Sequence, residues 1–228
     1  MNLAAIIDHT LLKPDATAVQ IEKLCQEARD YSFASVCLNP VYVSLAARLL
    51  AGSPVKVCTV IGFPLGAICS EDKAEEARRA IANGAEELDM VLAIGAAKSG
   101  DWQTVETDIM SVCLVAGEQA IVKVILETCL LSDEEIVSAC LCAQKAGAAY
   151  VKTSTGFSTG GATEHHVQLM RKTVGATMGV KASGGIRSAA AALAMVEAGA
   201  NRLGTSSGPL IVQETGSPLA ESKIIPQN

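Results

Sequence analysis

Residues 146–154 read AGAAYVKTS, and the joint they form decides the fold. A glycine able to take the left-handed position at a helix end is followed by small residues and then by a β-rich run. The same joint recurs at 83–91 (NGAEELDMV) and at 198–206 (AGANRLGTS). Used three times, it predicts a chain made by repeating one strand–helix unit.

On either side of that joint, β-rich segments fall at 5–10 (AIIDHT), 35–39 (SVCLN), 56–63 (KVCTVIGF), 87–91 (ELDMV), 120–128 (AIVKVILET), 149–154 (AYVKTS), 179–183 (GVKAS) and 202–206 (RLGTS). Their starts lie roughly 20 to 35 residues apart, room for a strand, a helix and two short loops. Helix signals fill the gaps. Asp15, Ser70, Thr163 and Ser188 are placed to cap helices, and Ser132 with Glu135 has capping-box spacing. Eight strands with crossovers predict a (β/α)8 TIM barrel in a single α/β domain, residues 1–214. A doubly wound sheet is the alternative, but its phosphate-binding glycines should follow the first strand, where this chain has LLKPDA. Residues 215–228 carry no period and are expected to form a mobile tail.

The chain has 228 residues, enough for one large core, and half of them are hydrophobic. A net charge of −6 and 3% aromatic content argue against a nucleic-acid or anionic-membrane surface. Eight cysteines without a C-x-x-C pair read as core residues of a reducing compartment. His9, His165 and His166 do not fall at ligand spacing with a cysteine pair, so no metal is expected. His165 and His166 read as solvated groups. The N-terminus lacks a signal-peptide pattern, and the apolar run 189–196 is far too short to span a membrane, so a cytoplasmic location is expected.

Lys152 sits in the middle of the opening stretch, where valine would pack at no cost. Burying a lysine charge is expensive unless it is paired or loses its proton. Barrel active sites lie at the carboxyl ends of strands. Asp8, Asn39, Asp89, Glu127, Lys152 and Lys181 lie late in their strands or just past them, whereas Lys56 and Lys123 lie early, towards the opposite rim. Alternation puts Leu88 and Met90 opposite Asp89, Val151 opposite Lys152, and Val180 and Ala182 opposite Lys181. If the apolar faces meet the helices, the three charged residues point into the barrel. Two charges about 4 Å apart at an effective dielectric of about 20 interact by about 4 kcal/mol, so a cationic Lys181 favours a neutral Lys152. Asp89 is assigned to Lys181, leaving Lys152 as the nucleophile, and a neutral amine attacks aldehydes and ketones to form a Schiff base. SGGI (183–186), SSGP (206–209) and STG (154–156) supply glycine-loop amides for an anion, so the ligand should be a phosphorylated carbonyl compound.

VKTSTGF, VKASGGI, ELDMV, IDHTLLKPDAT and TSSG together resemble the deoxyribose-phosphate aldolase family, in order from about residue 6 to residue 208. The resemblance implies a metal-free, cofactor-free class I aldolase that reversibly cleaves 2-deoxy-D-ribose 5-phosphate to glyceraldehyde 3-phosphate and acetaldehyde. It makes Lys152 the Schiff-base lysine, Lys181 the second lysine and Asp89 a proton-relay aspartate. Thr155 occupies a position linked to proton handling, and Asp8 and Cys37 are further candidates beside the substrate. Gly156, Gly184, Gly185, Ser206 and Ser207 match phosphate-binding positions. Some members carry lysine where this chain has Phe157, which shifts phosphate binding towards backbone donors. Some end in a tyrosine, and this chain ends IIPQN. A homo-oligomer, in the simplest case a dimer, is expected. Two rivals remain: a phosphate-binding isomerase or synthase using Asp89 or Glu127 as base, and a catalytically silent phosphate sensor.

Overall fold

Eight parallel strands close on themselves in chain order in the computed structural model, which describes residues 2–216. They are β1 (Ile7–Leu11), β2 (Ser35–Leu38), β3 (Lys56–Ile61), β4 (Glu87–Val91), β5 (Ile121–Ile125), β6 (Tyr150–Lys152), β7 (Gly179–Ser183) and β8 (Arg202–Thr205). β1 pairs with β2 on one side and β8 on the other, so the sheet has no free edge. Each of the eight expected strands is present; several are shortened where their last residues turn into a loop, and β1 starts two residues late, after a 3-10 turn at Ala4–Ile6, and runs one residue further than expected.

The helices are α1 (Ala18–Tyr31), α2 (Val43–Leu49), α3 (Ser70–Ala82), α4 (Ile94–Lys98), α5 (Trp102–Ala116), α6 (Asp133–Lys145), α7 (Glu164–Val174), α8 (Ala189–Glu197) and α9 (Gly208–Glu214). Ser132 and Glu135 form the expected capping box, and Thr163 and Ser188 cap α7 and α8 through their hydroxyls. Two caps differ from expectation. Thr17 rather than Asp15 starts α1, in a capping box with Gln20. Ser70 lies inside α3 and donates its hydroxyl to Asp108 at 2.9 Å, so Cys69 holds the cap position without a side-chain bond. Gly84, Gly147 and Gly199, the glycines of the repeated joint, have φ of +103°, +85° and +114°, a region costly for any residue with a Cβ. Among the described residues no helix is long and apolar enough to cross a membrane. The segment expected as a tail begins beyond the end of α9. Thr215 and Gly216 still hydrogen-bond to Val212 and Gln213, and the rest of it lies outside the described residues.

The main core lies between sheet and helices, where Leu88, Met90, Val151, Val180, Ala182 and Leu203 are buried. This is the face that alternation assigned to the helical layer. The opposite face points inward and is polar over much of its height. Gly204 on β8 makes room there, since a Cβ would come within 2.9 Å of Ser183 Cβ and 3.1 Å of Lys181 Cε.

Candidate active site

Lys152 ends β6 and stands directly across from Lys181 on β7. Asp89, on β4, is buried between them, and its Oδ2 accepts a hydrogen bond from each amine at 2.7 Å. The expectation that Asp89 would favour Lys181 is therefore corrected: one oxygen serves the two amines equally. Lys181 differs from Lys152 in having a further partner, Asp8, with which it forms an ion pair.

Lys123 is the second correction. Assigned by its early strand position to the far rim, it instead sends its long stem up the barrel and donates to Asp89 Oδ1 at 2.8 Å. It also pairs with Glu87 at 2.6 Å and lies 3.6 Å from Asp8. Arg202 completes the layer, bonding Asp8 at 2.9 Å and Glu87 at 2.8 Å. Cys58 donates to Asp89 Oδ1 at 3.2 Å, and the Cys37 thiol lies 3.9 Å from Oδ2. Cys37, Cys58 and Asp89 are close enough to share a cation. Lys123 and Lys181, both held charged, already occupy that carboxylate, which disfavours a further positive charge.

The network holds four basic groups (Lys123, Lys152, Lys181, Arg202) against three carboxylates (Asp8, Glu87, Asp89). Burial pushes the Asp89 carboxyl up, but Lys123, Lys152 and Lys181 outweigh it and hold it well below the usual carboxylate range. Asp8 is likewise held low against its burial, chiefly by Lys181, Lys123 and Arg202. Burial opposes the charge on Lys181, but Asp8 and Asp89 win and raise it, so that amine stays protonated. Lys123 is raised in the same way, with Asp89 foremost. Arg202 stays charged against its burial, held by Asp8 and Glu87. One basic group is thus in excess of the carboxylates. Lys152 is the one that reaches the surface of a cavity, 3% exposed, with a single carboxylate oxygen that it must share.

That cavity, about 410 Å³, opens at the carboxyl ends of the strands. Thr155, Gly156, Gly184, Gly185 and Ser206 line it, as the glycine-loop reading expects. Gly156, Gly184 and Gly185 all have positive φ, near +85°, which turns their amides in a way that residues with a Cβ resist. Ser207 is not in the lining; it precedes α9, and its amide donates to Thr205 Oγ1. Asp8, Cys37, Asp89 and Lys181 lie beneath the floor, in contact with Lys152 or its partners rather than with the cavity. Asn39 ties the end of β2 to the carbonyls of Leu12 and Lys13. His165 pairs with Asp133 at 2.7 Å on the outside of the barrel.

Sequence reasoning missed Lys123, Glu87 and Arg202 in the network, and Lys13 and Arg187 at the cavity wall. A signal was present for Lys123, which alternates with Val122 and Val124 as Lys181 does with its neighbours. Phe157 packs edge-on against Phe63 at 5.3 Å, so an aromatic pair spans two loops beside the glycine-lined wall.

A family model described as DeoC/LacD family aldolase matches residues 3–214. The chain is 64% identical to a deoxyribose-phosphate aldolase of Brevibacillus brevis over 220 residues, covering 95% of this chain and 99% of that one. It is 63% identical to one of a Geobacillus species over 212 residues, with 93% and 95% covered. Among solved structures it superposes with a TM-score of 0.88 on the tetrameric deoxyribose phosphate aldolase of Aeropyrum pernix, at 40% identity, covering 94% and 91%. The aldolase QR15 superposes at 0.89, also with 40% identity, covering 93% and 95%.

Proposed function

The chain belongs to the DeoC/LacD family of aldolases, and from that membership we infer that it reversibly cleaves 2-deoxy-D-ribose 5-phosphate to D-glyceraldehyde 3-phosphate and acetaldehyde. The observation that carries this reading is the surplus amine. Among the described residues Lys152 alone of the buried lysines meets the cavity, and it shares its one carboxylate oxygen with a second, protonated amine. An amine so placed can reach a carbonyl carbon in the cavity and, as the free base, add to it to form a Schiff base.

Lys152 Nζ adds to the C1 aldehyde of the open-chain sugar and water leaves, giving an iminium. The C2–C3 bond then breaks as the C3 hydroxyl gives up its proton. Its electrons pass to C2 and form an enamine on Lys152, while C3 becomes the aldehyde of the three-carbon product. Protonation at C2 and addition of water release acetaldehyde and return the free amine. Asp89 and Lys181 are assigned to the proton traffic and charge balance beneath the floor, with Asp8 holding Lys181 charged. Thr155 is assigned to the substrate hydroxyls. The amides of Gly156, Gly184 and Gly185, with Ser206 and the adjoining Ser207, are assigned to the phosphate, and Arg187 adds a cation on the same wall. Cys37 keeps a packing role beside Asp89 in this reading.

Eight free thiols, one of them the exposed Cys69, support a reducing, cytoplasmic setting. Met110 and Leu114, exposed one turn apart on α5, offer an apolar strip for a homo-oligomer, in the simplest case a dimer. The decisive test is borohydride reduction in the presence of acetaldehyde, followed by digestion and mass mapping. A reduced two-carbon adduct on Lys152 is expected. Its absence, or its appearance on another lysine only, would overturn the reading.

A further inference from the structure

Two non-glycine residues in the described chain have positive φ, and they are unlike. Ser32 closes a helix at the surface, an ordinary use of that conformation. Glu127 lies just past β5, 2% exposed, with φ +56° and ψ +59°. A buried, long side chain in that region is an outlier that the surroundings must hold in place, and such outliers gather at functional sites.

The neighbours show what holds it. Leu126 donates to the carbonyl of Lys152, and Thr128 to the carbonyl of Thr153, so the backbone on either side stays tied to the β6 chain. Between those ties the left-handed residue turns the carboxylate towards Thr155. Oε1 accepts the Thr155 amide at 3.2 Å, and Oε2 accepts the Thr155 hydroxyl. The remaining contact is the Cys129 thiol at 4.0 Å. Among the described residues Glu127 thus has no cation partner, unlike the carboxylates of the barrel interior. Its oxygens rest on Thr155.

We propose that Glu127 is a positioning residue that fixes the Thr155 hydroxyl as a hydrogen-bond acceptor towards the cavity. A hydroxyl has one proton and two lone pairs. The Thr155 proton is committed to Glu127, and one lone pair takes the Phe157 amide at 3.0 Å. What remains for the cavity that Thr155 lines is a lone pair, suited to receive an O–H of a phosphosugar and unable to donate to it. Glu127 thereby selects the direction of the hydrogen bond that the substrate hydroxyl must make. The inference rests on the aldolase reading above.

Glu127→Gln keeps the shape but offers an NH2 to Thr155 Oγ1, which turns the hydroxyl proton towards the cavity. We expect kcat to fall by about tenfold or more while KM changes by less than about threefold. Adding Glu127→Gln to Thr155→Val should cost nothing further, since the carboxylate acts through that hydroxyl. Glu127→Gly separates side chain from backbone. Glycine relieves the left-handed conformation, so a role confined to turn shape predicts retained kcat, whereas our proposal predicts its loss in a folded protein. Unchanged kcat in the Gln or Gly variant, or additive losses in the double variant, would overturn it. Acetaldehyde trapping on Lys152 should persist in Glu127→Gln. Failure to trap in the wild-type enzyme would instead defeat the aldolase reading itself.

Discussion

Two buried lysines show how differently the same side chain is used in two parts of the barrel. In the outer layer Lys73, on α3, is fully buried and has a carboxylate to itself: Asp108 of α5 at 2.6 Å, with the Val91 carbonyl at 2.9 Å. The second Asp108 oxygen is taken by the Ser70 hydroxyl. Inside the barrel, Lys152 has part of one oxygen and borders open space. A complete partner set fixes a helix pair, whereas an incomplete one leaves an amine that can react. Both side chains are buried, and what separates them is the number of partners together with contact with the cavity.

Substitution at either lysine tests that distinction. Lys152→Ala should lower aldol cleavage by roughly 10⁴-fold or more, the scale on which a lost covalent nucleophile registers. The melting temperature should stay within about 3 °C of wild type, because three cations then face three carboxylates. Steady-state kinetics with a thermal melt checks both halves. Lys73→Met should do the reverse. Leaving Asp108 buried without its cation should destabilise the fold by about 3–5 kcal/mol in a urea titration, while kcat per folded molecule stays near wild type. If Lys73→Met proves harmless, partner count is the wrong criterion.

Lys181→Leu probes the interior pair itself. It removes the cation that shares Asp89 Oδ2 with Lys152 and takes one partner from Asp8. kcat should fall about ten- to a hundredfold in a folded protein, while borohydride trapping of acetaldehyde on Lys152 persists. An unchanged kcat would assign Lys181 a purely structural role. The smallest expected effect concerns acid stability. Asp8 and Asp89 titrate lower in the folded state than their ordinary value of 3.8. Between those limits the unfolded chain binds more protons, so stability rises with pH there. The carboxylates contribute fully above that ordinary value, and the contribution is lost as pH falls below it. Unfolding titrations from about pH 6 to about pH 2 in wild type and Asp89→Asn should show a shallower acid decline in the variant.

Much of the barrel is legible in advance because its signals are local. Repeated Gly84, Gly147 and Gly199 joints, period-two alternation around Asp89, Lys152 and Lys181, and the Ser132–Glu135 box each span a few residues. What escapes is non-local. Strand position locates the Cα of Lys123, but its four-carbon stem carries the amine to Asp89, at a level that rim assignment does not foresee. Glu87 and Arg202 matter only because β4 and β8 face each other across a closed interior. Glu127 is visible as a late-strand acid, yet its φ depends on the clasp with Thr155, and no spacing rule encodes that.

In the proposed reaction carbon becomes attached to Lys152, and the sharing of Asp89 Oδ2 bears on that state. The iminium of a primary amine keeps one N–H proton, and it draws electrons from the adjoining carbon chain only while that proton stays on. A counterion already stands 2.7 Å from that nitrogen, braced from two other directions by Lys123 and Lys181. The proposed covalent intermediate would therefore form beside an anion that is already held in place, which lowers the reorganisation its charge requires.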